Sequence, residues 1–176
     1  MNANPTNDSF GWDDSVETSD ASAFTLLTEG PCTFNVKEFK RGRHEGSARM
    51  AACYQAELKL TVTDQDGNVS EVSCNLPLNR KMAWKITSCF KATGLIDPST
   101  PSGTTVRYPW DKLMGARGIC EIEHYTWTGD DGQERTGNSV KGFLYGDRAD
   151  EAAIKLGVRP LQTPQPPVQR PYGGTF

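Results

Sequence analysis

RMAACYQAELKLTVTDQDGNVSEVSCNL, residues 49–76, is the stretch on which the fold turns. Met50, Ala52, Tyr54, Ala56, Leu58, Leu60 and Val62 fall on alternate positions, with Cys53, Gln55, Glu57, Lys59, Thr61 and Thr63 between them. A period of two sends successive side chains to opposite faces, so the spacing predicts a long strand over 49–63 with one buried and one wet face. Asp66-Gly67-Asn68 supplies a turn with a left-handed position, and Val69 to Leu76 returns as the partner strand. The pair is a hairpin.

Upstream, TFNVKEFKRGRHEGSAR (33–49) reads as a strand running into a pliable basic loop. Phe34 and Val36 mark its buried side, and Asn35, Lys37 and Phe39 project from the other. Lys37, Lys40, Arg41, Arg43 and Arg49 oppose only Glu38 and Glu45, while Gly42 and Gly46 loosen the chain. Downstream, Asn79 and Gly94 bracket a helix over 80–93, with Met82, Ile86, Cys89, Phe90 and Thr93 on the face that meets the sheet. A Pro/Ser/Thr/Gly loop over 97–105 and a single turn from Trp110 to Met114 follow. A second hairpin pairs 119–126 with 139–145 across the acidic loop TGDDGQERTGN, and a short helix over 149–156 ends the body. In the last strand Val140, Gly142 and Leu144 are expected in the core, with Lys141, Phe143 and Tyr145 outward. Trp84 and Trp110 are assigned to packing.

The chain is thus expected to be mainly β: three strands, a helix, then two strands. That order is the one a five-stranded oligonucleotide/oligosaccharide-binding (OB) barrel uses, with its helix between the third and fourth strands. The same order also permits an open sheet. The body is placed at 24–157, between an acidic, flexible arm (1–23) and a proline-rich, flexible tail (158–176).

Composition agrees with a body flanked by tails. The chain has 176 residues, of which 36% are hydrophobic, and a formal charge of −3; its mean hydropathy is −0.58. Such values are low for a chain packed from end to end. All six carboxylates of residues 1–30 (Asp8, Asp13, Asp14, Glu17, Asp20, Glu29) lack a Lys or Arg beside them in that segment, so the remainder is mildly basic. Cys32, Cys53, Cys74, Cys89 and Cys120 are odd in number and never spaced C-x-x-C, and His44 and His124 are the histidines. Neither a zinc site nor a disulfide framework follows from that pattern. The polar start, the absence of long apolar runs and the isolated cysteines lead to the expectation of a reducing cytoplasm and no membrane.

No phosphate loop, nucleophile elbow or H-E-x-x-H motif is present, so no enzyme activity, cofactor or metal is expected. Asp130, Asp131 and Glu134 read as turn chemistry, and His124 as a satisfied structural histidine. Rings and cations on wet faces carry the functional reading. Cations neutralise phosphates and release counterions, and a flat ring gives a base a stacking face. The candidate DNA-binding residues are Lys37, Phe39, Lys40, Arg41, Arg43, Arg49, Tyr125, Trp127, Arg135, Lys141 and Tyr145. The loops after strands one and four flank the binding face of an OB barrel, and both are represented among them.

Several of these segments recur together: Phe34–Val36, the strand from Met50 to Val62, MAWKITSCFKATG (82–94), WDKLMGARG (110–118) and Asn138-x-Val140. In that order over 24–146, with FGWDD (10–14) in the arm, the chain resembles bacteriophage and prophage single-stranded DNA-binding proteins encoded beside recombination genes. The resemblance implies an OB fold, sequence-tolerant binding of single-stranded DNA during phage replication or recombination, and no active site. It also implies phage or host recombination and replication proteins as partners through the tails; a homodimer through an exposed strand edge is a further expectation. Unlike bacterial counterparts, the chain ends YGGTF with a terminal Phe176 but no acidic tip. Two readings stand beside this one: a non-catalytic protein-interaction or phage adaptor module on the same barrel, and a carbohydrate-binding barrel stacking sugars on Tyr125 and Trp127.

Overall fold

Alternation in the 49–76 stretch is realised as a strand pair without a break in register. In the computed structural model, which describes residues 24–159, strand β2 (Cys53–Thr63) lies antiparallel to β3 (Val69–Pro77), from Gln55 opposite Pro77 to Thr63 opposite Val69. Ala56, Leu58, Leu60 and Val62 are buried against Val72, Cys74 and Leu76. Gly67 takes φ +84 in the turn. The strand starts later than its pattern: Met50 and Ala52 precede it, and Tyr54 is 71% exposed rather than buried.

The basic segment is a strand, not a loop. β1 (Gly30–His44) pairs with β2 from Thr33 to His44 and with β4 (Arg117–Thr128) from Gly30 to Asn35. β5 (Glu134–Leu144) completes a five-stranded antiparallel sheet in the order β3-β2-β1-β4-β5. β4 and β5 run further than the sequence implies, so most of the expected acidic loop is strand and the turn shrinks to 129–133.

Two bulges change which residues face inward. On β1 Val36 opposes Leu60 and Glu38 opposes Lys59, which leaves Lys37 as the extra residue. Val36 exchanges backbone hydrogen bonds with Ala116 and Gly115 at 2.9 Å each, so the 110–118 segment braces the bulge. An extra residue shifts the alternation by one. Phe39 therefore turns toward the core, opposite Leu58, instead of projecting outward. On β5 Ile122 opposes Val140 and Glu121 opposes Gly142, so Lys141 is the extra residue. Phe143 consequently enters the core, edge-on to Phe34 at 5.3 Å, and is not outward.

Helix α1 (Ala83–Ala92) follows a 3-10 turn at Arg80–Met82, whose start is capped by Asn79 accepting the Lys81 N–H at 2.9 Å. Its Ile86, Cys89 and Phe90 join the main core; a second 3-10 turn, Trp110–Lys112, delivers buried Leu113 to it. Helix α2 (Asp147–Leu156) covers Ile119 and Leu144 with Ala152 and Ala153.

No ladder joins β3 to β5 among the described residues, so the sheet is open in its hydrogen bonding. Its two edges are nevertheless tied. Asn138 on β5 accepts the Leu27 N–H at 3.0 Å and donates to the Thr25 carbonyl at 2.8 Å and to Ser70 on β3 at 3.4 Å. Thr25 N–H donates to the same Ser70 hydroxyl. Asp64, at the start of the β2–β3 turn, accepts from the Thr28, Asp66 and Asn68 N–H groups and from the Asn68 side chain. Residues 24–29 thereby form a clasp over the seam. The acidic arm (1–23), its FGWDD patch and the proline-rich tail from residue 160 lie outside the described residues.

Candidate nucleic-acid interface

Past the bulge, β1 and β2 extend beyond the part of the sheet that α1 covers. Pairing places Phe39 opposite Leu58, Arg41 opposite Ala56 and Arg43 opposite Tyr54, so these side chains share one face. The segment before Trp110 closes the other side and contributes Arg107. The result is a groove of about 530 Å³ lined by Phe39, Arg41, Arg43, Tyr54, Arg107 and Trp110. Phe39 stacks on Trp110 (centroids 5.7 Å, planes 15° apart), and Trp110 stands edge-on to Phe90 at 5.0 Å. Those rings make a fixed floor, and Tyr54 stands free at the rim.

Among the described residues, no carboxylate pairs with Arg41, Arg43 or Arg107, and none lines the groove. Gly42 matters here. A Cβ at that position would lie 2.2 Å from the Glu57 carboxylate, so glycine lets Glu57 lie across the outer face of the strand.

The remaining candidates are elsewhere. Lys37 pairs with Glu71, and Lys40 lies 3.6 Å from Glu38, which also engages Lys59 at 3.5 Å. Arg49 sits in the exposed turn after β1, where its N–H donates to the Ser47 hydroxyl. Tyr125 and Trp127 are exposed and stack on one another (5.1 Å, 24°) above Gly137, beside Phe24, Glu71 and Ser73. Arg135, opposite Trp127, is held by Asp131 at 3.0 Å. That carboxyl lies below its usual range, first through the Gln133 N–H and then through Arg135. Lys141 and Tyr145 line a third cavity beside α1.

The eleven expected residues therefore do not form one surface. Phe39, Arg41 and Arg43 come together, while Phe39 and Trp127 line separate cavities. Tyr54, Arg107 and Trp110 were not anticipated as site residues. The signal available in sequence was RYPW (107–110), a cation and two rings after a flexible loop. Trp84, assigned to packing, is 57% exposed; Trp110 is packed as expected.

No Cys, Ser, Thr, His or Lys is among the described residues lining the groove, and Cys53, next to Tyr54, is half-buried. Cys32, Cys74, Cys89 and Cys120 are buried, and burial raises their thiol pKa values, Cys32 to about 11 with Asp64 adding to the effect. The His124 ring donates through Nε2 to the Leu27 carbonyl at 2.7 Å, and the backbone N–H of His124 donates to the Glu29 carboxylate at 2.8 Å. Among the described residues no three His, Cys, Asp or Glu side chains gather as a metal site, and no helix is long and apolar enough to cross a membrane. Compared with known proteins, the chain matches no family model and no curated protein.

Proposed function

We propose that this protein binds single-stranded DNA, without reading its sequence, in the groove between Tyr54, Arg43 and Trp110. The observation that carries the reading is the trio Arg41, Arg43 and Arg107, unpaired among the described residues, over a floor of stacked rings. Guanidiniums without carboxylate partners have their donors available for phosphates. An exposed Tyr54 beside them offers a base a stacking surface worth about 1–3 kcal/mol.

The strand order supports an OB-type barrel as the scaffold. Such a barrel brings its third and fifth strands together, and here β3 and β5 meet through Ser70, Asn138 and the Thr25–Leu27 clasp. The resemblance to phage single-stranded DNA-binding proteins supplies the setting: a non-catalytic, cytoplasmic protein shielding unpaired strands in phage replication or recombination.

Fluorescence titration with poly-dT at two salt concentrations tests the function. Binding should weaken steeply with salt, with a log–log slope of about −0.7 per phosphate contact on single strands. Failure to bind, or binding indifferent to salt, rules the reading out.

A further inference from the structure

We propose that a second cleft, between α1, β5 and the 96–108 loop, is a further subsite for the same polynucleotide, reached by crossing the ridge formed by residues 107–110. The inference rests on the proposed function of the groove and extends its footprint.

Three observations carry it. The cleft measures about 920 Å³, within the range of built ligand sites. It combines the same chemistry as the groove: Trp84, 57% exposed, with Lys91, Lys141, Tyr145 and Arg148. Glu121 is the carboxylate that lines it, and Lys141 engages it at 3.7 Å, so the cleft keeps an excess of positive charge. Finally, the two cavities share one wall. Tyr108 lines the cleft and Trp110 lines the groove, with ring centroids 5.9 Å apart and Phe90 touching both at 4.9 and 5.0 Å. Arg107 stands at the groove side of this wall. A strand leaving the groove over Arg107 meets positive charge and a stacking ring again on the far side.

Fixed and free groups divide the work within the cleft. Lys91 is buried; its ammonium donates to the Thr100 carbonyl at 2.8 Å and lies 4.9 Å from the Tyr145 ring centroid. It anchors the loop and lends charge, and the Tyr145 face it covers is not open to a base. Arg148 and Trp84 are exposed, and Lys141, also exposed, is held only loosely by Glu121 at 3.7 Å and exchanges that partner for phosphate: two cations for phosphates and one indole for a base.

The test uses the full chain and dT oligomers of increasing length. Lys141→Ala/Arg148→Ala and Trp84→Ala should leave affinity for the shortest bound oligomer within twofold. For the longest they should lower it about tenfold, with the salt slope falling by about 1.4 for the double variant. Trp84→Phe, which keeps a ring, should restore most of the long-oligomer affinity, and unchanged melting curves show that the exposed substitutions leave the fold intact. Equal losses at all lengths, or none at any, overturn the subsite. If cleft variants match wild type while Arg41→Ala/Arg43→Ala weakens every length, the groove stands and the subsite falls. If wild type binds no oligomer, both fall. Unchanged DNA affinity with a Trp84-dependent emission shift on adding a poly-Glu peptide assigns the cleft to an acidic protein partner instead and overturns the proposal.

Discussion

Around Trp110, the guanidiniums of Arg41, Arg43 and Arg107 have no carboxylate partner among the described residues, whereas beside Trp127 the guanidinium of Arg135 is held by Asp131 at 3.0 Å. The same contrast extends to the surrounding polar groups. At the β3–β5 seam Asn138, Ser70, Asp64 and His124 are tied to the 25–29 clasp or to neighbouring backbone. Donors at the groove are without carboxylate partners among the described residues; those at the seam are tied. Rings and cations alike in sequence thus divide into a surface that offers interactions and a surface that has consumed them. Substitutions in the groove should change binding and spare stability, and those at the seam the reverse.

The sharpest way to break that division is the triple replacement of Arg41, Arg43 and Arg107 by Ala. Poly-dT affinity at low salt should fall roughly tenfold to a hundredfold and the salt slope by about 2, with the melting temperature nearly unchanged. An unchanged slope would mean that these arginines do not meet phosphate. Next, Asn138→Ala should cost about 2–3 kcal/mol in urea unfolding, because it strips the buried Leu27 N–H and the part-buried Thr25 carbonyl of their partner. Its DNA affinity should stay within a few-fold. Tyr54→Ala should weaken binding by about 1–3 kcal/mol while leaving stability alone, since the ring is mostly exposed.

Acid titration probes the seam more gently. Burial by itself pushes the Asp64 carboxyl up, but hydrogen bonds from Thr28, Asn68 and Asp66 outweigh it and hold the pKa at about 2. A folded-state pKa below the unfolded value of about 3.9 gives stability that is present above pH 4 and lost as pH falls toward 2. Melting temperatures across that window should drop less for Asp64→Asn than for wild type; parallel curves would remove Asp64 from the account. The smallest effect is expected from Tyr125→Ala/Trp127→Ala, less than about threefold on poly-dT affinity, far below one stacked base. A larger loss would move the interface to the seam.

The β2–β3 pair was legible because its alternation is uninterrupted and its turn carries Asp66-Gly67-Asn68. The α1 helix was legible from Asn79, Gly94 and the spacing of Ile86, Cys89 and Phe90. β1 and β5 were misread beyond Lys37 and Lys141, because a bulge is set by neighbouring chain rather than by the bulged residues. At Val36 the neighbour is Gly115–Ala116, nearly eighty residues away. Phe39 and Phe143 changed faces as a result. Arg41 and Arg43 were recognised from their local density of charge, but Tyr54, Arg107 and Trp110 joined them only through strand pairing and the packing of a distant loop.

Periodicity and composition by themselves determined a β-rich body, its central hairpin, its helix and a local excess of positive charge over residues 37–49. Only the tertiary structure decided which of those charges are neutralised, which rings are floor and which are rim, and which sheet edges meet. The physical reason is one of range: alternation and capping act within a few residues, whereas ion pairing, stacking and bulge placement depend on segments that folding alone brings into contact.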